Sequence, residues 1–217
     1  MSNETKILAG IGIATVLIVV VGAFFMGGSS TPDKPKPPVD QKLLVKGDSH
    51  KVEAKNAKVT LVEFGDFQCP ACGASHPIVK QLLEEYKDDV TFVFRNYPLP
   101  MHKNAMKAAN AAEAAGAQKK FFEMHDLLFE NQSEWSESNK ADGLFEKYAS
   151  ELDLDMDKFK EDLKSKKYEG KIKADQADGN AVGVNSTPTF YINGELQAGG
   201  LPYEQFKAKI EKAINSN

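Results

Sequence analysis

Cysteine is scarce in this sequence, with only Cys69 and Cys72 among 217 residues. A structural zinc site needs four ligands, and no second cysteine pair is present to supply them. A disulfide between residues only three apart would close a very small loop and constrain little of the chain. The fold must therefore depend on its hydrophobic core rather than on cross-links.

An excess of positive charge is also lacking. The chain has 27 lysines and arginines against 31 aspartates and glutamates, for a formal net charge of −4. This balance does not suggest a nucleic-acid partner. The apolar content of 41% and the charged content of 27% are ordinary for a soluble core with a solvated surface. The length is enough for one domain and some additional chain.

Charge is absent from residues 7–26, an apolar stretch near the N-terminus. Its length is sufficient to span a bilayer. A cleaved signal peptide is the alternative, but its apolar region is usually only about 7–15 residues long. No clear cleavage site follows the stretch. We therefore predict a single transmembrane anchor over residues 7–26.

The charges on either side of this anchor give conflicting signals about topology. Lys6 precedes it, whereas Lys34, Lys36 and Lys42 follow it. The positive-inside rule would leave the large domain in the cytoplasm, but long domains are translocated largely regardless of charge. A short tail before an apolar span is also the usual form of an uncleaved export signal. We expect a single-pass, membrane-anchored protein with its main domain outside the cytoplasm.

A proline-rich linker is predicted at residues 27–42. Four prolines lie between positions 27 and 40, and core-forming residues are rare there. In an extended polyproline-like form, about fourteen residues would reach roughly 40 Å. The main domain is predicted to occupy residues 43–217.

The two cysteines lie at a predicted strand-to-helix junction. Residues 59–64 are rich in β-branched and aromatic side chains, which indicates a buried strand. Helical spacing of apolar residues follows the cysteines, and Pro70 occupies the first turn, where proline is tolerated. A helix N-terminus stabilises a thiolate, the reactive form of cysteine. We predict that Cys69 is the exposed attacking thiol and that Cys72 is the shielded, resolving thiol.

Further features give the sequence a specific resemblance. Glu63 lies six residues before the first cysteine, Pro77 lies five residues after the second, and Thr187-Pro188 precedes a late predicted strand. With these residues, the chain resembles the thioredoxin superfamily and, within it, the DsbA-like thiol–disulfide oxidoreductases. The resemblance covers about residues 43–217.

The predicted fold class is α/β, with a thioredoxin-like central sheet and an inserted helical domain after the transmembrane helix. Strand patterns occur at residues 59–64, 90–94 and 189–192, with a hairpin signal at Asn193-Gly194. Residues from about 102 to 183 are helical in pattern, and an insertion of this kind is typical of DsbA-like proteins. The closing helix is predicted over residues 201–214.

The resemblance also implies roles for individual residues. Glu63 corresponds to a buried acid beneath the active site, and we expect it to exchange a proton with Cys72. Thr187 and Pro188 correspond to the family's cis-proline segment, which binds extended substrate. Pro70 and Ala71 form the active-site loop between the two cysteines.

The predicted activity is disulfide formation in reduced, exported proteins by exchange through Cys69 and Cys72. No metal or organic cofactor is expected, the chain is expected to be a monomer, and the resemblance implies a DsbB- or VKOR-like membrane partner that reoxidises it. A disulfide reductase or isomerase is an alternative, since the residue before Cys72 is not histidine and Thr187 resembles the isomerase branch. A tethered client-binding module or a copper carrier is a further alternative, because a thiolate pair suits Cu(I).

Three histidines have less definite predicted roles. His125 lies on an apolar helical face and is predicted to be a core residue with its hydrogen bonds satisfied. His76 could tune the thiolate, or it could simply lie on the helix surface. His102 follows a proline in a loop and has no evident role.

Overall fold

The computed structural model describes residues 37–216. The anchor predicted at residues 7–26 therefore lies outside the described residues, together with most of the predicted linker. Within the described range, no helix is long and apolar enough to cross a membrane.

The compact unit begins earlier than the predicted domain boundary at residue 43. It starts at Pro37, within the predicted linker. The backbone N–H of Val39 donates to the carbonyl of Gly194 at 2.8 Å, and the short helix α1 covers Gln41–Leu44. Leu44 is fully buried. The last residues of the predicted linker thus pack on the domain, because Val39 hydrogen-bonds to its C-terminal hairpin and contacts the smaller core.

Five described strands form one sheet in the order β1-β3-β2-β4-β5. They are β1 (His50–Val52), β2 (Val59–Gly65), β3 (Val90–Asn96), β4 (Thr189–Ile192) and β5 (Glu195–Ala198). β2 and β3 are parallel, and the other neighbouring pairs are antiparallel. β2 is therefore the central strand, with a hydrogen-bonded neighbour on each side.

The near-continuous apolar run of β2 reflects burial on both faces of the sheet. Leu61 belongs to the larger hydrophobic core, on the face covered by α2 (Pro70–Glu85). Its neighbour Val62 belongs to a smaller core on the opposite face. A charged residue in this strand would have no route to solvent along either face, which makes the position of Glu63 unusual.

Helices occupy the chain between β3 and β4, where the sequence predicts an insertion at about residues 102–183. They are α3 (Ala105–Gly116), α4 (Phe121–Glu130), α5 (Gln132–Trp135), α6 (Ala141–Glu151), α7 (Met156–Lys164) and α8 (Glu169–Val182). A final helix, α9 (Tyr203–Asn215), packs against the sheet through Phe206.

The turn between β4 and β5 has the predicted two-residue form. Asn193 and Gly194 both have positive φ angles, of 48° and 87°. These are the conformations that a tight hairpin with an Asn-Gly turn requires. The turn also brings Gly194 against Val39 at the start of the compact unit.

Candidate active site

The carboxyl end of β2 leads directly into the cysteine pair. Cys69 caps the N-terminus of α2, and Pro70 occupies the first turn of the helix. The backbone N–H of Cys69 donates to the carbonyl of Asp66 at 3.0 Å, which closes the turn between strand and helix. Both cysteines are free thiols in this structure. This local arrangement places the two sulfurs at a helix N-terminus, where an anion is favoured.

The predicted exposure of Cys69 is wrong. Cys69 is only 6% exposed and Cys72 is fully buried. The carbonyl oxygen of Thr187 lies 3.4 Å from the Cys69 Sγ and accepts a hydrogen bond from it. Thr187 comes 118 positions after Cys69 in the chain. The sequence around the cysteines therefore cannot show that Thr187 shields the Cys69 sulfur from solvent.

The Thr187–Pro188 peptide bond is cis, as the resemblance implies. The segment is held in place by β4, which begins at Thr189 and pairs antiparallel with β2, so that Thr189 lies opposite Phe64. The backbone of Thr187 therefore lies beside the first cysteine.

Hydrogen bonds to sulfur lower the pKa of Cys69 to about 5. The side chain of Cys72 makes the largest contribution, and the Thr187 side chain and the backbone N–H groups of Ala71 and Cys72 add to it. Burial acts in the opposite direction but is outweighed. Cys69 is therefore a thiolate at neutral pH, the state that attacks a disulfide.

The second thiol has the opposite character. Burial raises the pKa of Cys72 well above its usual value, and its hydrogen bond to the Cys69 sulfur and the negative charge of Glu63 act in the same direction. Cys72 therefore keeps its proton at neutral pH. Cys69 is therefore the reactive thiolate of the pair, and Cys72 is the protonated thiol.

Glu63 lies in β2, close enough to Cys69 and Cys72 to interact with both electrostatically, and is only 3% exposed. Its neighbours across the sheet are Phe94 on β3 and Phe190 on β4, so aromatic residues flank it on both sides. Burial raises the pKa of Glu63 to about 8, with a further contribution from the charge on Cys69. At neutral pH the carboxyl group is protonated and can exchange a proton near physiological pH.

Asp66 is a site residue that the sequence did not reveal. It is 1% exposed, and its carboxylate accepts hydrogen bonds from the backbone N–H groups of Gln68 and Leu99, both at 2.8 Å. The same carboxylate lies 2.6 Å from Nδ1 of His102, so this histidine does have a structural contact. Asp66 thus fixes the active-site turn to the loop after β3.

Gln132 on α5 joins the helical insertion to the active-site loop. Its side-chain amide donates to the carbonyls of Phe67 at 2.7 Å and of Cys69 at 2.9 Å. These contacts join residues more than sixty positions apart in the sequence, and no local sequence pattern predicts them. The insertion therefore helps to hold the loop that carries the reactive thiol.

The structure agrees only in part with the expectations for His76 and His125. His76 is 8% exposed, so it is not a surface residue of α2. His125 is buried as predicted, but its Nε2 has no hydrogen-bond partner among the described residues. The cluster that contains both residues is distinct from the cysteine pair.

This chain is similar to a family model and to parts of longer known proteins. The family model described as thioredoxin matches residues 46–212. Among curated proteins, the Na⁺/H⁺ antiporter NhaA 3 of Salinispora tropica is 42% identical over 163 residues, which cover 75% of this chain and 24% of the antiporter. The antiporter NhaA 1 of Salinispora arenicola is 41% identical over 161 residues, covering 74% of this chain and 24% of that protein. The chain thus spans about a quarter of the length of these relatives.

Solved structures show the same architecture. Oxidised BdbD from Bacillus subtilis has a TM-score of 0.70 and 25% identity, with 83% of this chain and 97% of that chain covered. Wolbachia pipientis α-DsbA1 has a TM-score of 0.72 and 22% identity, with 81% and 96% covered. At that identity, the likeness to α-DsbA1 establishes the fold alone.

Proposed function

This chain belongs to the thioredoxin family, and we propose that it is a thiol–disulfide oxidoreductase acting through Cys69 and Cys72. The observation that carries the proposal is the contrast between the two thiols. The Cys69 sulfur is a thiolate at neutral pH and lies against the Thr187 backbone, while the Cys72 thiol is buried and protonated. A pair of this kind suits an attacking and a resolving cysteine.

In the proposed oxidative direction, a substrate thiolate attacks the Cys69 sulfur of the Cys69–Cys72 disulfide. The bond between the cysteines breaks, and Cys72 leaves as a thiolate that takes a proton from Glu63. A second substrate thiolate then attacks the substrate sulfur of the mixed disulfide. Cys69 leaves as a stable thiolate, the substrate dithiol has lost two electrons, and Glu63 regains its proton from solvent. The low pKa of Cys69 makes its thiolate a good leaving group, which speeds the attack of the second substrate thiolate.

The position of Thr187 suggests how substrate is held. In the reduced protein, the Thr187 carbonyl oxygen lies 3.4 Å from the Cys69 sulfur, and it accepts a hydrogen bond only while Cys69 is protonated. Once the Cys69 sulfur is bonded to substrate, that carbonyl becomes available for a backbone N–H of an extended peptide. Pairing of main chains in this way gives affinity without demanding a particular sequence. The Thr187–Pro188 segment would therefore accept many different reduced proteins.

Oxidation is the proposed direction because the reduced state is stabilised. Whatever stabilises the Cys69 thiolate favours the reduced form and makes the disulfide a stronger oxidant. The alternative is a reductase or isomerase, since no histidine precedes Cys72 to add positive charge near the thiolate. The two directions differ in reduction potential, which can be measured.

We further propose that the domain works outside the cytoplasm, tethered by residues 7–26 and reoxidised by a DsbB- or VKOR-like membrane protein. The uncharged N-terminal stretch and the curated relatives, which are named as antiporters and so as membrane proteins, support a membrane location. Antiport itself is not proposed, because the match covers only about a quarter of each relative.

Cysteine substitutions test this function directly. The oxidised full chain, purified in detergent, is mixed with a reduced, unfolded protein that normally contains disulfides, and the loss of free thiols is followed. We expect Cys69→Ser to abolish oxidation, and Cys72→Ser to accumulate a covalent mixed disulfide when given a protein disulfide. Ser75→Ala serves as the control, since Ser75 lies on the same helix and its hydroxyl donates to the Ala71 carbonyl.

Retention of oxidation by Cys69→Ser would refute the proposal. If the double variant Cys69→Ser, Cys72→Ser still prevented aggregation of unfolded proteins, client holding would be a separate property of the domain. Tight Cu(I) binding by the reduced wild type, without disulfide exchange, would favour the copper carrier instead.

A further inference from the structure

A second polar cluster lies further along α2. His76 is seven residues after Cys69, about two helical turns along the same face. His125 and Asp126 approach it from α4. The Oδ1 atom of Asp126 lies 3.1 Å from Nδ1 of His125 and 3.7 Å from Nε2 of His76, so this single oxygen faces both imidazoles.

We propose that His76, His125 and Asp126 form a zinc-binding site. Their ligand atoms all lie within 4.8 Å of one another. In a tetrahedral zinc site with bonds of about 2.0–2.1 Å, neighbouring ligand atoms are about 3.4 Å apart. The two distances from the Asp126 oxygen are close to this value. The imidazole nitrogens lie no more than 4.8 Å apart, and rotation of the two side chains can adjust this separation.

The hydrogen bonding of His125 supports this assignment, because neither neutral tautomer suits its surroundings. If Nδ1 carries the proton and donates to Asp126, Nε2 is a bare acceptor that is buried without a partner in the part of the chain that the structure describes. If Nε2 carries the proton, the lone pair of Nδ1 faces a carboxylate. The doubly protonated form would still leave its Nε2–H without a conventional hydrogen-bond acceptor among the described residues, and it would place a positive charge in a buried site.

A metal ion on Nδ1 removes this conflict. The ring proton then resides on Nε2, in a region lined by aromatic rings. These rings belong to Phe67, Phe92, Phe94, Phe121, Phe122 and Phe129. Aromatic faces are electron-rich and accept a weak hydrogen bond from N–H, whereas they offer no donor to a bare nitrogen. The surroundings of His125 therefore suit the tautomer that a metal ion would select.

The set of donors matches zinc in its chemistry. Two imidazoles and one carboxylate, with the fourth position left to water, are a known zinc coordination pattern. Burial also lowers the pKa of His76, to about 4, so its nitrogen lone pair is free at neutral pH. Asp126 is negatively charged, with a pKa of about 2, because its hydrogen bonds to His125 and Lys80 outweigh the effect of burial.

Lys80 is compatible with an ion at this position and would orient one of its ligands. Its Nζ lies 2.9 Å from Oδ2 of Asp126, the carboxylate oxygen that faces away from the imidazoles, and 2.8 Å from Glu130. A hydrogen bond to the second oxygen of a ligating carboxylate fixes its orientation. The cluster also opens to a surface groove lined by Leu83, Phe122 and Lys87, which gives a route for the ion and for water.

Metal titration of the oxidised full chain tests the site. Oxidation removes Cys69 and Cys72 as competing ligands, and Zn²⁺ binding is measured by calorimetry, with Co²⁺ as a visible-absorption probe of coordination number. We expect one ion per chain in a four-coordinate site. His76→Gln and Asp126→Ala should each weaken binding at least tenfold, because each removes a ligand. Glu130→Gln is the matched control and should bind close to the wild-type affinity, since Glu130 contacts Lys80 but neither histidine.

Folding of the variants is checked by circular dichroism. His125→Phe provides a second route, because a phenyl ring fits the surrounding aromatic cluster while offering no ligand. It should lose zinc binding, and zinc should raise the unfolding temperature of the wild type but not of this variant. Absence of zinc binding by the oxidised wild type would overturn the proposal. Unchanged affinity in folded His76→Gln and Asp126→Ala would also overturn it.

Discussion

Two glutamates in this molecule are equally buried and have opposite electrostatic states. Glu63 on β2 and Glu113 on α3 are each 3% exposed. Burial alone would raise the pKa of both. At Glu113, hydrogen bonds from Nε2 of His50 and Nζ of Lys171, both at 2.8 Å, outweigh burial and lower the pKa. At Glu63, burial acts unopposed and the pKa rises to about 8.

The difference shows that the partner, and not the depth of burial, decides what a buried carboxyl group does. Glu113 lies in an ion-pair network in which Lys171 also contacts Asp175, and Asp175 pairs with Arg95 of β3. A carboxylate held in this way stays charged and contributes to the packing of α3 and α8 on the sheet. Glu63 interacts with the cysteine pair instead of with a cation. Its pKa is therefore raised, and it can gain or lose a proton near neutral pH.

Removal of the Glu113 carboxylate should have the largest effect on stability. Glu113→Ala removes the carboxylate that pairs with Lys171 and contacts His50, and breaking a buried pair in this way costs about 3–5 kcal/mol. The pKa of Cys69 should stay close to 5, because the network lies apart from the thiols. Denaturant unfolding and the pH dependence of Cys69 alkylation measure the two quantities. A large change in Cys69 titration would show that the two regions are coupled.

Glu63→Gln should give the reverse pattern, with a large kinetic effect and little loss of stability. Loss of the proton exchanger should slow disulfide exchange by about a hundredfold, since general acid–base catalysis contributes at least that much. Stopped-flow measurement of mixed-disulfide resolution is the test. An unchanged rate would assign Glu63 a structural role like that of Glu113.

The same variant has a defined pH signature in stability. Because the folded-state pKa of Glu63 is raised to about 8, ionisation of this group destabilises the wild type progressively as pH rises from about 4.5 to 8. Glu63→Gln lacks this loss. The variant should therefore gain stability relative to the wild type between pH 5 and pH 8, as measured by urea unfolding at each pH. A constant difference across this range would contradict the raised pKa.

Reduced and oxidised protein should differ in stability in a pH-dependent way. The folded-state pKa of Cys69 is lowered to about 5, so the thiolate stabilises the reduced form fully only above the unfolded-state pKa. This contribution is lost as pH falls towards 5, and it is absent from the oxidised form. The stability of the reduced form relative to the oxidised form should therefore rise with pH above about 5. Paired thermal unfolding measurements check this expectation, and a pH-independent difference would oppose it.

Thr187→Val should produce the smallest effect of this series. The backbone carbonyl that contacts the Cys69 sulfur remains, and only the hydroxyl contribution to the thiolate is lost. We expect the pKa of Cys69 to rise by less than about one unit. Thiolate absorbance as a function of pH provides the measurement. A larger rise would mean that the side chain of Thr187, and not that of Cys72, makes the largest contribution to the lowered pKa of Cys69.

Local patterns in the sequence predicted the central part of this fold. The strand at β2, the helix start at Pro70 and the tight turn at Asn193-Gly194 all depend on neighbouring residues, whose preferences can be read along the chain. A lowered pKa at Cys69 was predicted from its position at a helix N-terminus, which is a local property, whereas its burial beside Thr187 was not.

Features built from distant parts of the chain could not be predicted. The cover that Thr187 places over Cys69, the support from Gln132 and the contacts of Asp66 all join segments that are far apart in sequence. The same holds for the pairing of His76 with His125, which requires knowing how α4 packs on α2. The domain boundary was also displaced, because nothing local shows that Val39 hydrogen-bonds to the C-terminal hairpin.

The most direct test of the proposed activity is the equilibrium reduction potential of the Cys69–Cys72 pair. The full chain is equilibrated in glutathione buffers at neutral pH, and the oxidised fraction is measured. A stabilised Cys69 thiolate predicts a potential near or above about −180 mV, in the range of proteins that donate disulfides. A value near about −270 mV would place the protein with thioredoxin-like reductants and contradict the proposed direction.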